Sequence, residues 1–82
     1  MAQADLSLVE VTWRDAHQSF ETISTEDLGD FHRPCITRSV GYQLLRDSVG
    51  ISLAGCEDED GDWDRPLFIP AGMIVTVRVL KV

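Results

Sequence analysis

Apolar and polar positions alternate along most of this chain, and the alternation breaks at a few well-marked turns. Leu6 to Trp13 reads as a first strand, with Val9, Val11 and Trp13 on one parity and Leu6 and Leu8 on the other. From Arg14 to Thr25 the pattern lapses into a polar connection broken by Phe20 and Ile23. Ser24 or Thr25 offers a helix cap before Glu26 and Asp27, whose charges suit the positive end of a helix dipole. A short helix is therefore predicted near Thr25–Phe31, and Gly29 and Pro34 hold it to one or two turns.

Pro34 opens a long second strand, Cys35 to Arg46. Ile36, Val40, Tyr42 and Leu44 share the parity expected to face the core, and Thr37, Ser39 and Gln43 the parity expected to face out. Gly41 in its middle is the expected bend or bulge. Asp47-Ser48 turns the chain into a third strand, Val49 to Cys56, with Val49, Ile51 and Leu53 alternating. The segment Glu57–Asp64 follows as a loop, with Asp60-Gly61 as its turn signal. Leu67–Ile69 is a fourth strand, Pro70-Ala71-Gly72 a tight kink, and Met73–Leu80 a fifth strand. Pro70 donates no hydrogen bond and ends the strand before it, while Gly72 lets the backbone turn. A short strand, a one-turn kink and a closing strand are how small Sm-like and SH3-like barrels finish. The expected fold is mainly β: a five-stranded, strongly bent antiparallel small barrel of that kind, with one short helical insert. Residues 1–82 form a single domain in this reading.

Charge changes the picture once it is located. The formal charge of −7 is concentrated in Glu57, Asp58, Glu59, Asp60, Asp62 and Asp64. The remaining eight acids nearly balance the seven Lys and Arg, so the body of the protein is close to neutral. Binding along a nucleic-acid backbone is disfavoured, because it needs a basic field that releases counterions. A local pocket for one small anion remains compatible, and six of the seven cationic residues are Arg, the side chain suited to bidentate phosphate or carboxylate contacts. Cys35 and Cys56 are expected to be reduced core fillers. The N-terminus shows no signal-peptide pattern and no run reaches membrane-span length, so a cytoplasmic location without membrane contact is expected.

Three short patterns carry a resemblance: Trp13-Arg14-Asp15-Ala16 at the end of the first strand, Val40-Gly41-Tyr42 mid-barrel, and Ile69-Pro70 ahead of Ile74 and Leu80. On these the chain resembles a group of small uncharacterised bacteriophage and prophage proteins with Sm-like or SH3-like barrels. The resemblance implies a protein of the host-cell cytoplasm that acts on a host pathway, including counter-defence by sequestering an anionic nucleotide signal. The acidic surface departs from the RNA-binding Sm/Hfq type, which has a basic cluster in its loops.

Candidate chemistry is sparse. Asp58, Asp60 and Asp62, at alternate positions around Gly61, could wrap a hard cation, but EF-hand spacing would need Gly at Trp63 and an acid at Ile69. The plainer reading is a solvated hairpin loop. His17, His32, Cys35 and Cys56 lack the paired spacing of a zinc set, and Ser, His and Asp occur without a nucleophile elbow or nucleotide-binding glycines. Neither an enzyme nor a cofactor is expected. His32 and Arg33 beside Phe31, with Arg38 across Pro34, form the densest cation–aromatic grouping outside the acidic loop. Arg38 shares a parity with Ile36 and Val40, so it must pair with Asp15, Asp27 or Asp30, emerge at a barrel end, or face an anionic ligand or a neighbouring subunit's acid. Trp63, among acids, either makes contacts outside the chain or folds back over a barrel end. Val75, Val77 and Val79 form a β-branched edge protected only by Arg78 and Lys81, and pairing that edge with another copy would build a homo-oligomer. The leading expectation is a non-enzymatic, homo-oligomeric binding protein, with a small anion or a host protein as partner. Sm/Hfq-like nucleic-acid binding and a small virion structural component are the alternatives.

Overall fold

A computed structural model describes residues 7–80. Leu6 and Lys81, assigned above to the first strand and to edge protection, lie outside the described residues. Five strands make one antiparallel sheet: β1 (Leu8–Asp15), β2 (Cys35–Arg46), β3 (Gly50–Ala54), β4 (Leu67–Pro70) and β5 (Ile74–Val79). Their spatial order is β4-β3-β2-β1-β5. Between β1 and β2 a 3-10 turn, Thr25–Asp27, runs into a one-turn helix α1 (Leu28–Phe31) over the expected span, but the expected cap is not made: Ser24 Oγ donates to Asp27 Oδ2 at 2.9 Å and caps no backbone N–H. Among the described residues no helix is long and apolar enough to cross a membrane.

The sheet is open. β4 and β5 are its two edges, with no ladder between them, so the strongly bent barrel expected from the sequence does not close. β4 is only four residues long and ends at Pro70, which has no N–H to extend a ladder. The chain then leaves through a 3-10 turn, Ala71–Met73, anchored by the Ala71 N–H on the Val49 carbonyl at 2.9 Å.

Core assignment on β1 holds, and on β2 it inverts. Val9, Val11 and Trp13 are buried with Ile51, Leu53 and Ile69, and Met73, Ile74 and Val77 pack against that cluster. Directly opposite residues share a face, and Val11 faces Ser39 while Val9 faces Gly41. Burying the β1 valines therefore turns Thr37, Ser39, Gly41 and Gln43 inward and leaves Ile36, Val40 and Tyr42 exposed. Inward polarity is tolerated because the buried Trp13 indole donates from Nε1 to Ser39 Oγ at 3.0 Å. The bulge also moves. The register shift lies between Gln43 and Leu45, making Leu44 the extra residue, whereas Gly41 pairs regularly with Val9. Gly41 is needed for close approach, since a Cβ there would stand 3.0 Å from the Ala54 carbonyl oxygen.

Smaller corrections follow from the same geometry. Val77, expected on the exposed edge, is half-buried against the core, while β5 is paired on one flank only among the described residues. A second register shift, between Thr12 and Trp13, leaves Val75 without a partner on β1, so Val75 interrupts the regular valine edge. Val49 precedes β3 and is exposed. Cys35 and Cys56 are exposed, free thiols and not core fillers, because one starts a strand beyond the core and the other follows β3 into the loop.

Candidate functional site

Two side-chain groupings stand out among the described residues, one at the start of β2 and one beside Tyr42 in its second half. The first is built by the helical insert. His17, just past β1, donates from Nε2 to the Arg33 carbonyl at 2.6 Å and packs against Phe31 at a 53° tilt with ring centroids 4.7 Å apart. This clasp ties the insert to the start of β2. Ala16, His17, Phe31, His32, Arg33 and Pro34 then line a shallow cleft of about 380 Å³. His32 and Arg33 are exposed here, and Arg33 forms no ion pair among the described residues.

Arg38 is elsewhere. It points from the outward face of β2, opposite Thr12, and at ~3.3 Å per residue it stands about 10 Å along the strand from Cys35. The expected pairing with Asp15, Asp27 or Asp30 is not made; the ion pairs among the described residues are Arg65–Asp64 at 3.2 Å and Arg78–Glu10 at 3.4 Å. Its neighbours on this face are Ile36 and Val40 along β2, Thr12 and Arg14 on β1, and Thr76 on β5. Arg33, with His17, Pro34 and Cys35, also lines a shallow cleft that reaches Ile36, the neighbour of Arg38 on this face.

The second place lies at the other end of the outward face. Tyr42 and Trp63 meet with ring centroids 5.7 Å apart at a 50° tilt. With Gly55, Cys56 and Glu57 they line a shallow cleft of about 440 Å³. Trp63 is half-buried and held from behind by the loop: Glu57 bridges to Trp63, and the Asp64 N–H donates to the Cys56 carbonyl at 3.0 Å. Of the two positions open to Trp63, the structure shows the folded-back one, resting on a strand end.

The acidic loop organises itself. Asp58 Oδ1 accepts the Asp60 and Asp62 N–H groups, both at 2.9 Å, and the Asp58 N–H donates to the Asp62 carbonyl at 2.8 Å. Gly61 makes the turn at φ 85°. Asp58, Asp60 and Asp62 do not converge: no group of three His, Cys, Asp or Glu side chains among the described residues is placed to hold a metal ion. The same holds for His17, His32, Cys35 and Cys56 as a zinc set.

Tyr42 was missed as a surface residue, and Arg38 was the signal that could have found it. An unpaired guanidinium on that parity is costly to bury, so its whole parity, Tyr42 included, belongs outside. His17 as a clasp had no sequence signal, because its partner is a backbone carbonyl sixteen residues away. No protein-family model, curated protein or solved structure matches the chain.

Proposed function

We propose that this chain is a non-enzymatic binding protein that works as a homo-oligomer joined through edge strands. The observation that carries this reading is the free flank of β5, which ends the sheet and leaves Val75 and Val79 exposed. Unpaired N–H and C=O groups along such a flank are a template for another strand. Antiparallel pairing with a second copy's β5 is two-fold symmetric and closes at a dimer. The strand order, with a 3-10 turn between β4 and β5, supports a likeness to Sm-like and SH3-like small barrels in topology, with the sheet here open. The phage proteins it resembles supply a setting, the cytoplasm of an infected host.

In this reading the insert cleft takes the ligand. Arg33 brings a permanent positive charge, His32 ring donors and Phe31 an aromatic surface, a combination suited to a small anion carrying a ring. A nucleotide signal withdrawn from a host defence pathway has that chemistry. Light scattering tests the assembly: two or more copies are expected at high micromolar concentration, and a strictly monomeric species would overturn it. Calorimetry with mono- and cyclic dinucleotides tests the ligand. Binding should weaken at least tenfold in Arg33→Gln, and no heat from any of them in the parent removes the anion from the proposal.

A further inference from the structure

The outward face of the sheet is self-complementary about Val40. We propose that it forms a second, two-fold interface in which Arg38 of one copy enters the Tyr42–Trp63 cleft of another. The proposal rests on the reading that the chain self-associates, but not on strand pairing at β5.

The outward residues of β2 run Ile36, Arg38, Val40, Tyr42. At ~3.3 Å per residue, Arg38 and Tyr42 lie about 7 Å to either side of Val40. A two-fold axis crossing the strand at Val40 reverses the direction of β2. It sets Arg38 over the partner's Tyr42, and the partner's Arg38 over Tyr42, in one operation. Neither contact needs a second adjustment.

The chemistry of the two ends matches. Arg38 is exposed and has no ion-pair partner among the described residues. The receiving cleft offers two tilted aromatic rings, with Glu57 in its lining. A guanidinium is attracted to aromatic faces and forms charge-assisted hydrogen bonds to a carboxylate, both from one planar group. The acidic loop behind the cleft adds a negative field that favours a cation and repels an anion. Val40, 55% exposed, stands between Arg38 and Tyr42, and its neighbour on β1 is Glu10, whose charge is already matched by Arg78; Ile36, 60% exposed, lies beyond Arg38. Val40 would meet its own copy at the axis, away from water. An exposed apolar residue at the axis, with a cation on one side of it and an aromatic cleft at the same spacing on the other, is what a self-associating face requires.

Charge exchange on the full-length chain tests this. Arg38→Glu places two carboxylates together in its own homodimer, and Glu57→Arg places two guanidinium groups together. Each variant alone should show at most half the parent's assembly mass at the same concentration by sedimentation or light scattering. An equimolar mixture should recover the parent's mass, because each copy then meets the opposite charge; that recovery also excludes misfolding. Unchanged mass in Arg38→Glu, or a mixture that stays small, overturns the proposal. Val79→Lys, which adds a charge at the β5 edge, separates the two interfaces: if it halves the mass and Arg38→Glu does not, only this interface fails. A parent that is monomeric throughout fails both. A monomeric parent whose tryptophan fluorescence responds to an arginine-rich peptide, with the response lost in Trp63→Phe, assigns the cleft to a foreign partner, and equally overturns the self-contact.

Discussion

Gly50 stands where β3 begins and the sheet leaves no room for a side chain. A Cβ there would collide with the Ile69 carbonyl oxygen and lie 2.9 Å from the Phe68 ring. Backbone cannot yield as a flexible side chain can, so Gly50→Ala should destabilise the fold by roughly 2 kcal/mol or more. Chemical denaturation measures this, and a change of only a few tenths would mean β3 and β4 are not paired as described. Trp13 provides a second residue-scale test. Trp13→Phe keeps much of the buried ring but removes the donor to Ser39, and should cost about 1 kcal/mol for the bond plus what the smaller ring leaves unfilled. Ser39→Ala, which strands the indole N–H, should cost a similar amount. Arg65 adopts φ 44°, a left-handed conformation ordinary side chains occupy at a cost. Arg65→Gly should therefore leave stability unchanged or raise it by up to ~1 kcal/mol, despite losing the exposed Arg65–Asp64 pair.

At the scale of elements, the acidic loop depends on one carboxylate. Asp58 Oδ1 serves two backbone N–H groups, so Asp58→Ala should speed hydrogen exchange at the Asp60 and Asp62 amides, while Asp58→Asn, which keeps the acceptor, should not. Millimolar calcium should leave the melting temperature unchanged, because the carboxylates do not converge. On β5, Val77 is half-buried against the core, so Val77→Ala should cost about 1 kcal/mol in thermal or denaturant unfolding. The elements themselves were legible: five strands, the insert and the Pro70 kink stand within a few residues of their sequence boundaries, because strand alternation and turn residues are local signals. The facing of β2 was not. Its apolar residues sit on the outward parity and its small polar ones on the inward, so hydrophobicity alone chose the wrong side. Register with β1 decides the matter, and register is a non-local property. The clefts were legible only in part for the same reason: His32 and Arg33 are sequence neighbours, whereas Tyr42 and Trp63 meet only through the fold.

For the molecule as a whole, the unequal distribution of charge matters more than its sum. Acids gather at the end where Trp63 meets Tyr42, and Arg38 stands farther along the same face. Assembly through that face should weaken as salt rises from 0.05 to 0.5 M on the order expected for screened surface charges, whereas β5 pairing by backbone bonds should respond little. Sedimentation at the two ionic strengths separates them. The sheet order has a further consequence, in time as opposed to space. β1, first of the strands, lies between β2 and β5, and β5 is the last. Glu10 meets Arg78 across 68 residues, so β1 keeps one flank open until almost every other strand has been synthesised. Loop closure of that length must precede the contacts that reward it, which places folding in the slow range for a domain of this size, milliseconds to seconds. Until β5 arrives, the flank of β1 beside the core valines is the stretch most open to pairing with the wrong chain.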